Sequence, residues 1–363
     1  MALPGHEYNI EIGAGLLSHL GSLVAPLGLG RRIMVVTNPT VARWYLTPVV
    51  DSLMAAGFAV RKAEVPDGEE YKSLAQAEVL YHEAVTAGLD RSDAILALGG
   101  GVIGDLAGFV AATYLRGIAL LQVPTTLLAQ IDSSIGGKVA VNLPAGKNLV
   151  GAFHQPRLVV TDPTTLRTLP ERELRAGLVE MLKHGVLAAD YFHWYERHLP
   201  ALLACDEETL TEGIAGSCRI KAAVVLTDER ERGGPRTLLN LGHTLGHALE
   251  NVAGYGVWRH GEAVGLGLIV AGRLSRRLGF LDAEELERLE KTVAATLGPH
   301  LPRLRREQID PLLAALFRDK KTLAGRLRFV LLGGIGQAFV AEGIEPSLVR
   351  AELEGLLETE VTP

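Results

Sequence analysis

The sequence predicts an α/β protein in two parts, a largely parallel sheet layer followed by a mostly helical region. Three observations predict it. Short β-type runs alternate with helix-type segments through about the first 165 residues, the pattern of a sheet whose crossovers are helices. A glycine-rich turn follows one of these runs and opens a helical stretch in "LALGGGVIGDLAGFVAA" (96–112). Past Pro170 the β-type runs give way to helical apolar periodicity with acidic starts and basic ends. The division is expected near residue 168, giving residues 1–168 and 169–363 as the two domains.

In chain order, the expected strands are "RIMVVT" (32–37), "FAVRKAEV" (58–65), "DAILALGG" (93–100), "IALLQVP" (118–124) and "RLVVTD" (157–162). Between them, "SLAQAEVLYHEAVTAG" (73–88) places leucine, valine and tyrosine at helical spacing and ends on a glycine stop. In the second half "DAEELERLEKTVAATLG" (282–298) is an amphipathic helix with an acidic start. One exception is "GRLRFVLLGGIGQAFVA" (325–341), where two β-rich runs around Gly333, Gly334 and Gly336 read as a hairpin.

Composition narrows the function classes. The chain's 363 residues are 48% hydrophobic, ample for two cores. The longest uncharged stretch, 12–30, is broken by Pro26, Ser18, His19 and several glycines, so no membrane span is expected. The opening "MALPGHEYNI" lacks the basic start and apolar core of a signal peptide, and a cytoplasmic location is expected. Cys205 and Cys218 fit neither a redox pair nor a metal spacing. A formal charge of -6 without a long basic run argues against nucleic acid as a partner, while leaving local cationic clusters for a small anionic substrate.

Gly99, Gly101 and Gly104 form G-x-G-x-x-G directly after a strand and at the opening of a helix, where backbone N–H groups could approach a pyrophosphate. The ordinary dinucleotide arrangement is not reproduced. The motif follows the third expected strand, and the next strand ends in Thr125 and Thr126 where an acidic residue would grip a ribose. Carboxylates occur instead in "PDGEEYK" (66–72). A packing loop without a ligand is the plainer alternative.

"NLGHTLGHALE" (240–250) sets His243 and His247 on one helix face. His260 follows in "WRHGEAVGLG", and "GLVEMLKHG" (177–185) sets Glu180 and Lys183 one turn apart in an otherwise apolar helix. A carboxylate with imidazoles from separate segments suits an open, catalytic metal site, whereas two buried structural histidines are the plainer account. Residue chemistry leaves open whether His243 acts with His247 or one of them acts with His260.

"GGGVIGDLAGFVAATYLRG", "VPTTLLAQIDSSIGGKVAVNLPAGKNLVGAFHQP", "GLVEMLKHG", "LNLGHTLGHALE" and "HGEAVGLG", in this order, resemble the blocks of the 3-dehydroquinate synthase family of sugar phosphate cyclases. The resemblance runs from about residue 30 to 336, and departures such as Leu245, where the family often has Phe, are conservative. It implies a dehydroquinate synthase-like fold, with an N-terminal Rossmann-like nucleotide-binding α/β domain and a mostly helical C-terminal metal- and substrate-binding domain.

The resemblance also implies residue roles. Glu180, His243 and His260 match the ligands of a divalent metal, zinc or cobalt, with His247 left in the substrate pocket. Asp67, Gly68, Glu69, Glu70, Tyr71 and Lys72 match the NAD site, as do Gly100, Gly101, Val102, Ile103, Gly104 and Asp105. Thr125 and Thr126 join them, with Thr165, Leu166, Arg167 and Thr168, and Asn38 at the adenosine end. Asp132, Lys138, Lys147 and Asn148 match substrate-engaging positions, the two lysines also bordering the cofactor, together with Lys183, Lys221, Arg236, Asn240, His247 and Lys320 or Lys321. A phosphate and a carboxylate together need several such donors. Arg116 matches an arginine that the family inserts across a dimer interface, so a homodimer is implied. The implied reaction converts 3-deoxy-D-arabino-heptulosonate 7-phosphate into 3-dehydroquinate, in the shikimate pathway. Sibling cyclases making other rings, and metal-dependent polyol dehydrogenases, are the competing readings.

Overall fold

The computed structural model describes residues 1–3, 6–231, 233–254, 257–318 and 327–357. The chain divides into two compact units, Met1–Leu169 with Glu207–Arg230, and Pro170–Asp206 with Glu231–Pro363.

The first unit is built on strands β1 (Asn9–Ile12), β2 (Arg32–Thr37), β3 (Ala59–Glu64), β4 (Ala94–Gly99), β5 (Ala119–Pro124), β6 (Lys138–Leu143), β7 (Gly146–Phe153) and β8 (Leu158–Thr161). Six of them form one sheet in the order β1-β8-β5-β4-β2-β3, each neighbouring pair parallel. Parallel strands need crossovers, and helices covering both faces make the inner strands apolar throughout. Every residue of β4, "AILALG", is buried. Its alternate side chains enter two cores: Ile95 and Ala97 pack with α2 (Leu74–Thr86) and α3 (Gly101–Thr113), while Ala94, Leu96 and Leu98 pack with α1 (Pro39–Ala55).

The five strands expected from the sequence are β2, β3, β4, β5 and β8. Two features were not expected. Four-residue β1 is too short to carry a pattern. The stretch holding Lys138, Lys147 and Asn148 is an antiparallel hairpin, β6 with β7, whose Val139 and Val141 enter the core under α3. Glycines and polar residues around those two valines hide the alternation.

β3 lies on one side of β2 and β4 on the other. The carboxyl ends of β2 and β4 therefore flank a reversal of winding, the place where open α/β sheets take ligands. Asn38 stands at the first end, where its side chain accepts from Val41 N to cap α1. Gly100 stands at the second, where α3 opens with no side-chain cap.

After α4 (Glu171–Val186) and α5 (Ala189–Leu203), helix α6 (Glu207–Thr227) returns to the first unit. There Cys218 meets Gln130 O, and Lys221 pairs with Asp132. A single cut near residue 168 thus differs from the observed grouping. Helical periodicity marks the buried face of α6, not what covers it.

The second unit comprises α4, α5, α7 (His243–Ala253), α8 (His260–Arg277), α9 (Ala283–Leu297), α10 (Ile309–Arg318), hairpin β9 (Arg328–Gly334) with β10 (Gln337–Glu342), and α11 (Pro346–Glu354). The expected helix at 282–298 and the expected hairpin are both present. Among the described residues no helix is long and apolar enough to cross a membrane.

Glycines let three of these helices meet. A Cβ on Gly267 of α8 would lie 1.9 Å from Gly242 O, just before α7, and one on Gly261 would lie 2.0 Å from Ala176 O of α4. Gly242 itself has φ +77, a left-handed conformation that suits glycine. Gly267→Ala must push α7 and α8 apart, an overpacking that costs about 1–3 kcal/mol. A fall in melting temperature of roughly 2–10 °C is expected by calorimetry, and an unchanged melting curve would show that the helices are not held in contact there.

Candidate active site

In the second unit, α4, α7 and α8 each bring one polar side chain to a common point. Glu180 sits mid-helix between Val179 and Met181 and is wholly buried. His243 and His260 are the first residues of α7 and α8. Their Nε2 atoms lie 3.6 and 3.5 Å from Glu180 Oε1, and ligand atoms of the three residues lie within 4.8 Å of one another.

The ring orientations have local causes. His243 Nδ1 is 3.0 Å from Leu241 O, and His260 Nδ1 is 3.1 Å from Glu250 Oε2. Carbonyl and carboxylate oxygens only accept, so each Nδ1 donates a proton and each Nε2 faces Glu180. His260 is further held by its helix start. Arg259 N donates to Glu262 Oε2 at 2.9 Å, and Arg172 grips the buried Glu262 carboxylate through two N–H groups at 2.5 and 2.7 Å.

Lys183 Nζ stands 2.5 Å from Glu180 Oε2, a pair buried on both sides. Neither Glu180 oxygen nevertheless makes a well-formed hydrogen bond. Distance alone satisfies the ion pair, and the geometry leaves acceptor capacity unused. Burial works against the Glu180 charge, but Lys183, His243 and His260 outweigh it and hold the carboxyl well below the usual carboxylate range. Burial pushes His243 well below the usual imidazole range. Burial also opposes charge on His260, yet the neighbouring carboxylates of Glu180 and Glu250 outweigh it and raise its pKa to about 10.

A buried carboxylate with unused acceptor capacity and two convergent imidazole nitrogens is the donor set of an open divalent-metal site, with zinc the usual fit. His247 shares a face with His243, ring centroids 5.4 Å apart, but is exposed and outside this trio. It falls in a second grouping with Glu250 and His260. Lys183 and Arg236 are buried, and Asn240 Nδ2 donates to Glu231 Oε1 at 2.8 Å. Lys320 and Lys321 lie outside the described residues.

In the first unit the glycine loop is set by packing. A Cβ on Gly100 would lie 2.9 Å from Thr126 Cγ2, and one on Gly104 3.0 Å from Gln122 Oε1. Val102 and Ile103 follow in the first turn of α3, Ile103 buried under the sheet. Thr125 Oγ1 is buried without a hydrogen-bond partner among the described residues. Of residues 67–72, Asp67, Gly68, Glu70 and Tyr71 are exposed, whereas Lys72 is buried with Nζ 3.0 Å from Asp105 and 3.2 Å from Glu69. Burial disfavours the lysine's charge, but these two carboxylates overcome it and raise its pKa.

Asn142 joins this loop to the hairpin, donating to Glu69 Oε1 at 2.7 Å and accepting from Asn148 N at 2.9 Å. Lys138 and Asn148 are exposed and Lys147 half-buried. Asn148 has φ +55 and Arg116, also exposed, φ +68. Thr165 and Leu166 are buried, Arg167 pairs with Glu207, and Thr168 shares a 2.6 Å hydrogen bond with Tyr45. An uncapped helix start, close-packed glycines and an unpartnered buried hydroxyl suit a pyrophosphate.

Sequence reasoning passed over Glu250, Glu262 and Arg172. The first had a legible signal: Glu250 follows His247 by one helical turn in "HALE", on the face that carries both histidines.

Comparison with known proteins agrees with this architecture. Residues 62–176 match the 3-dehydroquinate synthase N-terminal family and residues 177–322 the 3-dehydroquinate synthase C-terminal family. A 3-dehydroquinate synthase from Pelotomaculum thermopropionicum is 48% identical over 358 residues, covering 97% of this chain and 95% of that protein. A 2-deoxy-scyllo-inosose synthase complexed with carbaglucose-6-phosphate, NAD+ and Co2+ superposes with TM-score 0.87 at 27% identity, covering 96% of this chain and 97% of that one. ValA, a 2-epi-5-epi-valiolone synthase from Streptomyces hygroscopicus subsp. jinggangensis with NAD+ and Zn2+ bound, superposes with TM-score 0.88 at 27% identity, covering 98% of each chain. Matched by both halves of the family in order along the chain, and by a full-length relative at nearly half identity, this chain belongs to the 3-dehydroquinate synthase family.

Proposed function

We propose that the chain converts 3-deoxy-D-arabino-heptulosonate 7-phosphate into 3-dehydroquinate and inorganic phosphate. The convergence of Glu180, His243 and His260, in a chain matched by both halves of this family, carries the reading. When bound, a divalent metal, zinc or cobalt, supplies electrophilic polarisation of substrate oxygens, and NAD+ supplies a hydride acceptor. Glu180, His243 and His260 are assigned to the metal, leaving coordination positions open for substrate. The identity to a 3-dehydroquinate synthase, well above that to the sibling cyclases, favours the dehydroquinate product.

The nucleotide is assigned to the loop at Gly100–Asp105, to Asp67–Lys72, to Thr125 and Thr126, and to Asn38. Lys72, buried between Glu69 and Asp105, fixes the shape of that loop. The substrate's two anionic ends call for charge-assisted donors. Lys138, Lys147 and Asn148 on the hairpin, and Lys183, Lys221, Arg236, Asn240 and His247, are assigned to them, with Asp132 holding Lys221. These groups orient the substrate and neutralise charge as phosphate departs. A cytoplasmic homodimer in which Arg116 reaches the partner's site completes the proposal.

The metal assignment separates the histidines. His260→Ala should lose most bound zinc by metal analysis and His247→Ala should keep it; equal loss in both would make the i,i+4 pair the chelate.

Loss of phosphate from this substrate gives this product with no net oxidation, so any hydride removed must be returned. Many turnovers are therefore expected with NAD+ far below substrate, and absorbance at the reduced-nicotinamide band should stay near baseline. NADH accumulating in step with product would instead indicate a polyol dehydrogenase.

The shared site is tested by mixing two inactive variants, Arg116→Ala and Glu180→Ala. Recovered activity is expected once subunits exchange, because one site in each hybrid dimer has both residues intact. Exchange without recovery would confine Arg116 to its own chain.

A further inference from the structure

The two imidazoles facing Glu180 are anchored by different chemistry. His243 Nδ1 meets a neutral acceptor, Leu241 O, at 3.0 Å, while His260 Nδ1 meets a carboxylate oxygen of Glu250 at 3.1 Å. Glu250 is itself buried, on the same helix as His243. A carbonyl orients a ring. A carboxylate also draws the Nδ1 proton toward itself, which enriches the lone pair on the opposite nitrogen.

We propose that Glu250 is a positioning residue of the metal centre, which holds the His260 tautomer that presents Nε2 to the ion and is not itself a ligand. This rests on the assignment of Glu180, His243 and His260 to the metal. His247, Glu250 and His260 also lie close enough to hold an ion, but Glu250 already accepts from His260, whereas both oxygens of Glu180 have acceptor capacity unused. The carboxylate with open acceptor positions is the ligand, and the one already hydrogen-bonded is its support. The arrangement also explains why the more exposed of the two trio histidines has the stronger anchor. His260 lies at the start of α8 with 28% of its side chain exposed, against 10% for His243, so less packing restrains its ring.

The test is cobalt(II) binding to the full chain, by competition with a chromophoric chelator, for the unaltered protein, Glu250→Ala, the nearly isosteric Glu250→Gln and, as the reference for a lost ligand, Glu180→Ala. Glu250→Ala should bind cobalt roughly 10- to 100-fold more weakly. Glu250→Gln should lose less, since its amide oxygen still accepts from Nδ1. Both loaded Glu250 variants should keep the visible cobalt bands of the unaltered protein, which Glu180→Ala should change, and metal-free Glu250→Gln should melt with the unaltered chain. Unchanged affinity in both Glu250 variants overturns the proposal. Bands altered as in Glu180→Ala overturn it by making Glu250 a ligand. Weakened binding confined to variants whose metal-free form melts early reduces Glu250 to a structural role and overturns it too. Failure of the unaltered protein to bind cobalt would remove the metal assignment itself, an outcome distinct from the other three.

Discussion

The second unit depends on one constraint: a carboxylate, Glu180, placed where no water reaches it. An ionised carboxyl carries a desolvation cost of several kcal/mol unless its surroundings return it. Lys183, one turn along the same helix, returns part. Lys183 alone would make a closed pair. Two imidazole nitrogens at 3.5–3.6 Å exceed what a structural pair requires, and they can be there only because Gly261 and Gly267 let α8 touch α4 and the turn before α7. Backbone approach, glycine placement and site chemistry are one arrangement. A side chain at either glycine would separate the helices that carry the donors.

The first unit obeys a different constraint. A parallel sheet covered on both faces has no free face for function, so its chemistry is confined to strand ends and the loops that leave them. The polar residues follow this rule. Thr37, at the carboxyl end of β2, Thr125, just past β5, and Thr161, ending β8, each have a buried hydroxyl without a hydrogen-bond partner among the described residues. Buried hydroxyls are ordinarily satisfied. Three orphans at the carboxyl ends of three strands mark that rim as the polar edge of an otherwise apolar unit.

What was legible in the sequence divides along the range of the interactions. Strands β2, β4, β5 and β8 and the helix at 282–298 could be read because their patterns are local and long enough to count. β6 and β7 could not, since only Val139 and Val141 reveal the buried side. The return of α6 to the first unit was equally hidden, because periodicity identifies a buried face and says nothing of its partner. The site followed the same rule. Its candidate ligand types could be named from residue chemistry, and family resemblance chose which residues to propose. The supports, Glu250 behind His260 and Arg172 on Glu262, join residues 10 and 90 apart in the chain, and no local pattern encodes such pairs.

The histidine pair shows why spacing cannot by itself identify a chelate. Helical geometry brings His243 and His247 onto one face, and their rings do lie 5.4 Å apart. The same geometry points successive turns along the helix axis, so a buried acid at the helix start meets the first ring and leaves the second exposed. Which imidazole faces Glu180 is decided by Gly242, whose left-handed backbone starts α7 at His243, and by Leu241 O, which takes the Nδ1 proton. An i,i+4 chelate would need both Nε2 atoms turned toward a third donor alongside the helix. Here the imidazole nitrogens that come within 3.6 Å of Glu180 belong to His243 and His260, each the first residue of its helix.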